Sequence, residues 1–285
     1  MQEEMIDSLL PSEMAKKAEQ VGVAKANMPF AKTFMLSVLA GSFIALGAVF
    51  STTVTAGSTL PFGVTKLLGG LVFSLGLVLV IAGGAELFTG NNLIIMAWAN
   101  HKIKTIQVLK NWTLVYAGNL IGAFSMVALM YLSGQYAFGN GVVGANMLAI
   151  AKAKCELGFV QAVALGILCN ILVCLAVWLS FSARSLTGKI AAIVYPITAF
   201  VAAGFEHSIA NMYFIPMGIL LKQQADADFW TRINNTAQNY TSLTWERFLT
   251  GNLLPVTIGN IIGGAVLVGL VYWFVFLKPQ QQQQP

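Results

Sequence analysis

Six apolar stretches follow one another along the chain, at about 33–55, 64–99, 108–133, 159–182, 189–221 and 248–277, with short polar connections between them. A hydrocarbon core of about 30 Å takes roughly 20 helical residues to cross, so each stretch is predicted to span a membrane as an α-helix. Two are too long for a single crossing. Leu67–Trp98 and Ile190–Leu221 each hold 32 residues, which as one straight helix would reach about 48 Å. Each also carries small and polar residues at its centre, Gly84-Ala85-Glu86-Leu87-Phe88-Thr89-Gly90-Asn91 and Gly204-Phe205-Glu206-His207-Ser208-Ile209-Ala210-Asn211. The second and fifth helices are therefore predicted to be broken. Unpaired backbone groups at membrane depth are tolerated only where they line a cavity or pack on protein, so the breaks are where function is expected.

The two centres share Gly-x-Glu-x4-Asn, which pairs Glu86 with Glu206 and Asn91 with Asn211. Further on, Asn111–Gly122 and Asn252–Gly263 both read Asn-x6-Gly-Asn-x-Ile-Gly. Two motifs recurring in the same order indicate an internal duplication. Three crossings per copy is an odd number, so the copies enter the membrane from opposite sides. The predicted fold is an all-α integral membrane protein of six transmembrane helices, arranged as two inverted three-helix repeats. Such repeats place their site near the midplane, between the discontinuous helices.

Composition sharpens this picture. At 57% hydrophobic and 9% charged residues, the chain of 285 falls outside the soluble globular class. The expected organisation is an amphipathic cytoplasmic helix within 1–30, a first repeat over 31–134 and an external loop over 135–158. A second repeat follows over 159–277, carrying an external insertion at about 222–246, and then a disordered glutamine-rich tail over 278–285. Leu10, Met14, Ala18 and Val21 supply the apolar face of the N-terminal helix. With the N-terminus inside, ten Lys and Arg fall on the cytoplasmic side and six on the other, which predicts that both termini are cytoplasmic. The net charge of +5 is spread over both sides, which shows no nucleic-acid patch. Cys155, Cys169 and Cys174 have neither disulfide nor metal spacing, so no metal or cofactor is expected.

A titratable side chain at membrane depth costs a few kcal/mol or more and commonly belongs to a pathway. His207 is such a group, and its proton can be gained or lost near neutral pH. Half-helices starting near Asn92 and Ile209 would aim positive dipole ends at the space between them, which suits a small anion. Thr89, from the opposite break, could fix the orientation of His207. Glu86 and Glu206 are expected chiefly to cap orphan N–H groups at the breaks. Asn91 and Asn211 are candidates for helix caps or pore contacts, and Asn119 and Asn260 for bridges that satisfy broken backbone.

The segments Gly204–Met212, Glu86–Thr89 and Gly259–Gly264 closely resemble the formate/nitrite transporter family, and its bacterial formate channels in particular. The resemblance extends over nearly the whole chain. It implies a homopentamer of aquaporin-like protomers in the bacterial inner membrane, each with its own pore for formate and similar small weak-acid anions. It further implies constrictions at Phe73, Leu77, Leu87, Phe88, Phe200 and Val173, with Asn170 on the pore wall and Lys154 at the outer mouth. Ser208 and Asn211 join His207 and Thr89 on the implied pathway. A histidine there could lend a proton to the anion, or hold it, and recover the proton as the solute leaves.

Nitrite and hydrosulfide are alternative solutes within the same family. A water or polyol channel is a remote alternative, because the Asn-Pro-Ala signature of that class is absent. An intramembrane enzyme using His207 and Ser208 lacks a convincing nucleophile arrangement. Low cytoplasmic pH is expected to act on the packing of the N-terminal helix and of Leu87–Asn91. The same helix is a candidate docking element for a cytoplasmic partner.

Overall fold

The computed structural model describes residues 8–278, in which every regular element is helical. The N-terminal helix α1 (Pro11–Ala26) leads into α2 (Phe30–Thr55). Next come α3 (Phe62–Phe73) and α4 (Leu75–Gly83), which run on as one apolar rod. Beyond a break, α5 (Phe88–Asn91), a tight turn at Asn92–Ile94 and α6 (Ile95–Ala99) continue the path, and α7 (Thr105–Leu132) returns. The second half repeats the order with α8 (Val142–Cys155), α9 (Phe159–Ser182), α10 (Leu186–Ala202), a second break and α11 (Ser208–Gln224). After the short α12 (Ala227–Arg232), the rod Arg247–Phe276 contains α13 (Leu254–Ile261) and α14 (Val271–Phe276). Arg247–Leu253 and Ile262–Leu270 of that rod wind with wider i→i+5 turns.

Five helices among the described residues are long and apolar enough to cross a membrane: Phe30–Thr55, Phe62–Gly83, Thr105–Leu132, Phe159–Ser182 and Arg247–Phe276. The fifth apolar stretch of the sequence is delivered instead as two pieces, α10 and α11. Both breaks begin the same way. Gly84 and Gly204 each take φ of 74° just past a helix end, a left-handed conformation that a side chain would strain. The glutamate two residues on then donates its backbone N–H to a spanning helix, Glu86 to Leu36 C=O (3.1 Å) and Glu206 to Leu165 C=O (3.3 Å).

Two further glycine pairs let the spanning helices approach. A Cβ on Gly122 of α7 would run into the Val38 carbonyl of α2, and one on Gly263 would run into Ile167 of α9. Small residues four apart, with Gly118 and Gly259 completing the sets, allow this backbone contact.

Residues 135–158, expected as a loop, contain the helix α8. Val143, Met147, Leu148, Ala151 and Cys155 recur every three or four residues and are all buried, so the segment has a core face of its own. The α1 helix is likewise seated, with Met14, Ala15 and Ala18 buried in a cluster shared with Leu93, Met96 and Trp178, and Gly22 buried as well. Lys17 Nζ donates to Phe181 C=O (3.1 Å), and Ser182 Oγ to Leu9 C=O (3.0 Å), fastening α1 to the end of α9. The tail expectation falls almost wholly on 279–285, outside the described residues.

Candidate functional site

Each break is held by the same four side chains. In the first, Lys25 Nζ lies 2.7 Å from Glu86 Oε1, and Asn91 Nδ2 donates to Glu86 Oε2 (2.7 Å) and to Asn111 Oδ1 (3.0 Å). Asn111 Nδ2 returns to the Lys25 carbonyl at 3.3 Å. In the second, Lys154 Nζ lies 2.7 Å from Glu206 Oε1, and Asn211 Nδ2 donates to Glu206 Oε2 (2.6 Å) and to Asn252 Oδ1 (2.7 Å). Asn252 Nδ2 returns to the Lys154 carbonyl at 2.9 Å. A buried charge is tolerated when paired and hydrogen-bonded, as both carboxylates are here.

The capping of the half-helices is duplicated too. Asn119 Oδ1 accepts from Phe88 N–H (3.0 Å), while its Nδ2 donates to the carbonyls of Ser37 (2.8 Å) and Glu86 (2.9 Å). Asn260 does the same for Ser208 N–H (2.9 Å), Gly166 C=O (2.8 Å) and Glu206 C=O (3.0 Å). This differs from the expectation for the glutamates. Their carboxylates bind lysine and asparagine side chains, and the N–H groups at the half-helix starts are capped by asparagines. A neutral amide can donate and accept at once, which a break exposing both N–H and C=O groups requires. The half-helices start at Phe88 and Ser208, the first of them four residues before the expected Asn92.

Two cavities approach this centre from opposite ends. One, of about 230 Å³, is lined by Gly22 and Lys25 of α1 together with Leu77, Glu86, Leu87 and Asn91. The other, of about 370 Å³, is lined by Lys66, Phe73, Lys154, Phe200, Glu206 and His207. Phe73 and Leu77 lie four residues apart, so the cavities end within about one helical turn of each other. Phe73 meets Phe200 edge to face at 5.6 Å, and the Phe200 ring lies 5.9 Å from the His207 ring.

His207 lines the second cavity, and its partner Thr89 lines neither. His207 Nε2 is 2.9 Å from Thr89 Oγ1, and both residues are buried. His207 Nδ1 accepts from Ala210 N–H at 3.1 Å. With Nδ1 committed as acceptor, the neutral ring carries its proton on Nε2 and donates to Thr89. The Thr89 hydroxyl is then left a proton of its own to donate.

The remaining residues of the expected pathway lie elsewhere. Ser208 and Asn211 are fully buried and line neither cavity. Phe88 packs edge-on against Tyr116 (4.9 Å) and Trp112 (6.1 Å), and Val173 also lines neither cavity. Asn170 lies behind the first break, where its Nδ2 is shared among Asn260 C=O (2.7 Å), Asn92 Oδ1 (3.0 Å) and Thr89 C=O (3.3 Å). Lys25, Asn111 and Asn252 were not singled out from the sequence for this role. Their signal was present, since Lys25 and Lys154 each stand five residues before the start of a spanning helix, at Phe30 and Phe159. Among the described residues no three His, Cys, Asp or Glu side chains are grouped to hold a metal ion.

Two cavities converging on a hydrogen-bonded histidine, inside a duplicated all-helical membrane body, define a membrane channel or transporter. The formate/nitrite transporter profile matches residues 12–274, and the chain belongs to that family. It is 52% identical over 273 residues to the formate channel FocA of Escherichia coli (strain K12), covering 95% of this chain and 96% of that protein. The formate channel FocA of Haemophilus influenzae is 44% identical over 264 residues, covering 92% of this chain and 93% of that protein. A solved pentameric formate channel with formate bound superposes with a TM-score of 0.83 at 48% identity, covering 87% of this chain and 98% of that one.

Proposed function

We propose that this protein conducts formate, and related small monovalent weak-acid anions, as a homopentamer in a bacterial inner membrane with both termini cytoplasmic. In that orientation the α1-side cavity is the inner vestibule and the α8-side cavity the outer one. The identities to formate channels support the solute and the assembly. The observation that carries the mechanism is that His207, on the wall of the second cavity, is hydrogen-bonded to the buried Thr89 of the opposite break.

An anion entering either vestibule meets a lysine already paired with a glutamate, so the wall offers ammonium donors without a large net charge. The barrier beyond is apolar, with Leu77 and Leu87 on one side and Phe73 and Phe200 on the other. A desolvated carboxylate is costly there, whereas its protonated form is far cheaper. His207 supplies the proton or holds the charge, through the Thr89 hydroxyl or directly, and recovers its starting state as the solute leaves. Selection then rests on size, transient neutralisation and field rather than on a cage of ligands.

Formate flux into proteoliposomes across a pH series, wild type against His207→Asn, tests this reading. Loss of formate permeation or of its pH dependence, with the oligomer intact, supports it. Unchanged flux and pH response would refute the role of His207.

A further inference from the structure

Thr89 is held from behind by a polar pair that the rest of the duplicated scaffold lacks. Its carbonyl accepts from Asn170 Nδ2 at 3.3 Å and from the Cys174 thiol at 3.4 Å. Both side chains come from α9, one turn apart, and both are fully buried. Asn170 Nδ2 has two hydrogens for three acceptors, and Thr89 is the most distant of the three. The thiol therefore supplies what the amide cannot give in full. Gly264 closes the pocket from the far side, since a Cβ there would press on Cys174 Sγ at 2.8 Å and on the Asn170 amide.

The second break is a control built into the molecule. It has the same glutamate, lysine and asparagines and the same glycine entry. In the first repeat, however, the positions matching Asn170 and Cys174 are Gly41 and Ala45 of α2, which offer no side-chain donor. The residue matching Thr89 is Ile209, and that matching His207 is Leu87. A break of this kind thus holds its shape without the α9 donors. They occur only where a threonine faces the histidine.

We infer that Asn170 and Cys174 are positioning residues, which fix the Thr89 backbone so that its hydroxyl stays within reach of His207. The inference rests on the His207–Thr89 centre of the proposed channel. The variants that test it are Cys174→Ala, which copies Ala45 of the other repeat, Cys174→Ser, which keeps a donor, and Thr89→Val. A fourth carries Thr89→Val and Cys174→Ala together.

Formate flux in proteoliposomes is expected to fall about three- to tenfold in Cys174→Ala, the loss of one hydrogen bond, and to stay within about twofold of wild type in Cys174→Ser. In the Thr89→Val background the alanine change should do nothing further. Ring 15N resonances are read in a His101→Asn background, which leaves His207 as the sole histidine. They should show one Nε2–H form in wild type and a shifted or mixed form in Cys174→Ala. Wild-type flux in Cys174→Ala, an equal loss with and without Thr89, or failure of serine to rescue overturns the proposal. If wild-type vesicles conduct no formate, the channel reading fails, while the resonances of His207 still decide whether the clamp positions Thr89.

Discussion

Lys25 and Lys154 occupy matching posts at opposite ends of the molecule. Each is the second-last residue of a short helix, α1 or α8, each precedes a spanning helix by five residues, and each lies 2.7 Å from the glutamate of a break. The N-terminal helix is thereby the counterpart of α8, and each repeat consists of a lateral helix as well as its spanning paths. A helix in this position is part of the scaffold, and its loss removes the partner of a buried carboxylate.

Lys25→Ala is accordingly expected to destabilise the protein by about 3–5 kcal/mol, because Glu86 is left buried and unpaired. Glu86→Gln made together with Lys25→Met should recover most of that, since no charge is then stranded. Thermal unfolding in detergent checks both. A lid that merely rests on the channel would give Lys25→Ala a melting temperature equal to wild type.

The asparagines of the Gly-Asn-x-Ile-Gly motif are predicted to be as costly to remove from either repeat. Asn119 and Asn260 each make three hydrogen bonds in a fully buried place, and an alanine leaves one N–H and two C=O groups unmet. A loss of about 2–4 kcal/mol is expected for each variant. Aspartate should rescue neither, because it keeps the acceptor and loses both donors. Comparing the four variants by thermal unfolding tests whether the two repeats carry equal weight.

Much of this was legible in the sequence because it was written twice. The paired motifs give the repeat, the approximate break positions, the two glutamates and the roles of Asn119 and Asn260 at the breaks. What the sequence hid depends on contacts across the chain. Asn170 reads as a pore-wall residue by resemblance, but its neighbours Asn92, Asn260 and Thr89 lie 78 to 90 residues away in sequence. The α8 helix, with mixed polar and apolar residues, was read as a loop because no single residue in it signals the core face that α11 covers. Lys25 enters the sequence reading only in the count of cytoplasmic basic residues, because its partner, Glu86, is 61 residues on.

Helix contact through glycine gives a sharper test with its own control. A Cβ at Gly122 would also lie 2.9 Å from Ser42 N, and one at Gly263 would lie 3.0 Å from the Ile167 carbonyl carbon, whereas nothing stands within 4 Å of one at Gly63. Gly122→Ala and Gly263→Ala are expected to cost about 1–3 kcal/mol as the helices are pushed apart. Gly63→Ala, near the start of α3, should stay within about 0.5 kcal/mol of wild type. Equal melting temperatures for the three variants would show that the spanning helices can part without penalty.

The two partners at the centre should differ in what their loss does. Thr89→Val keeps the shape of the side chain and removes its hydroxyl, so His207 Nε2 loses its partner while the ring keeps its Ala210 contact. Formate flux should fall by about tenfold or more, since one buried donor is then unmet in the barrier, and some pH dependence should persist because the titratable ring remains. His207→Asn removes the ring itself, and with it the titratable group of the centre, so what flux survives should lose its pH dependence. Both variants are compared with wild type in proteoliposomes at a series of pH values, after gel filtration shows an unchanged oligomer. A pH response that survives in His207→Asn and vanishes in Thr89→Val would place proton handling outside the imidazole. It would leave the paired lysine and glutamate of the vestibules as the groups to test next.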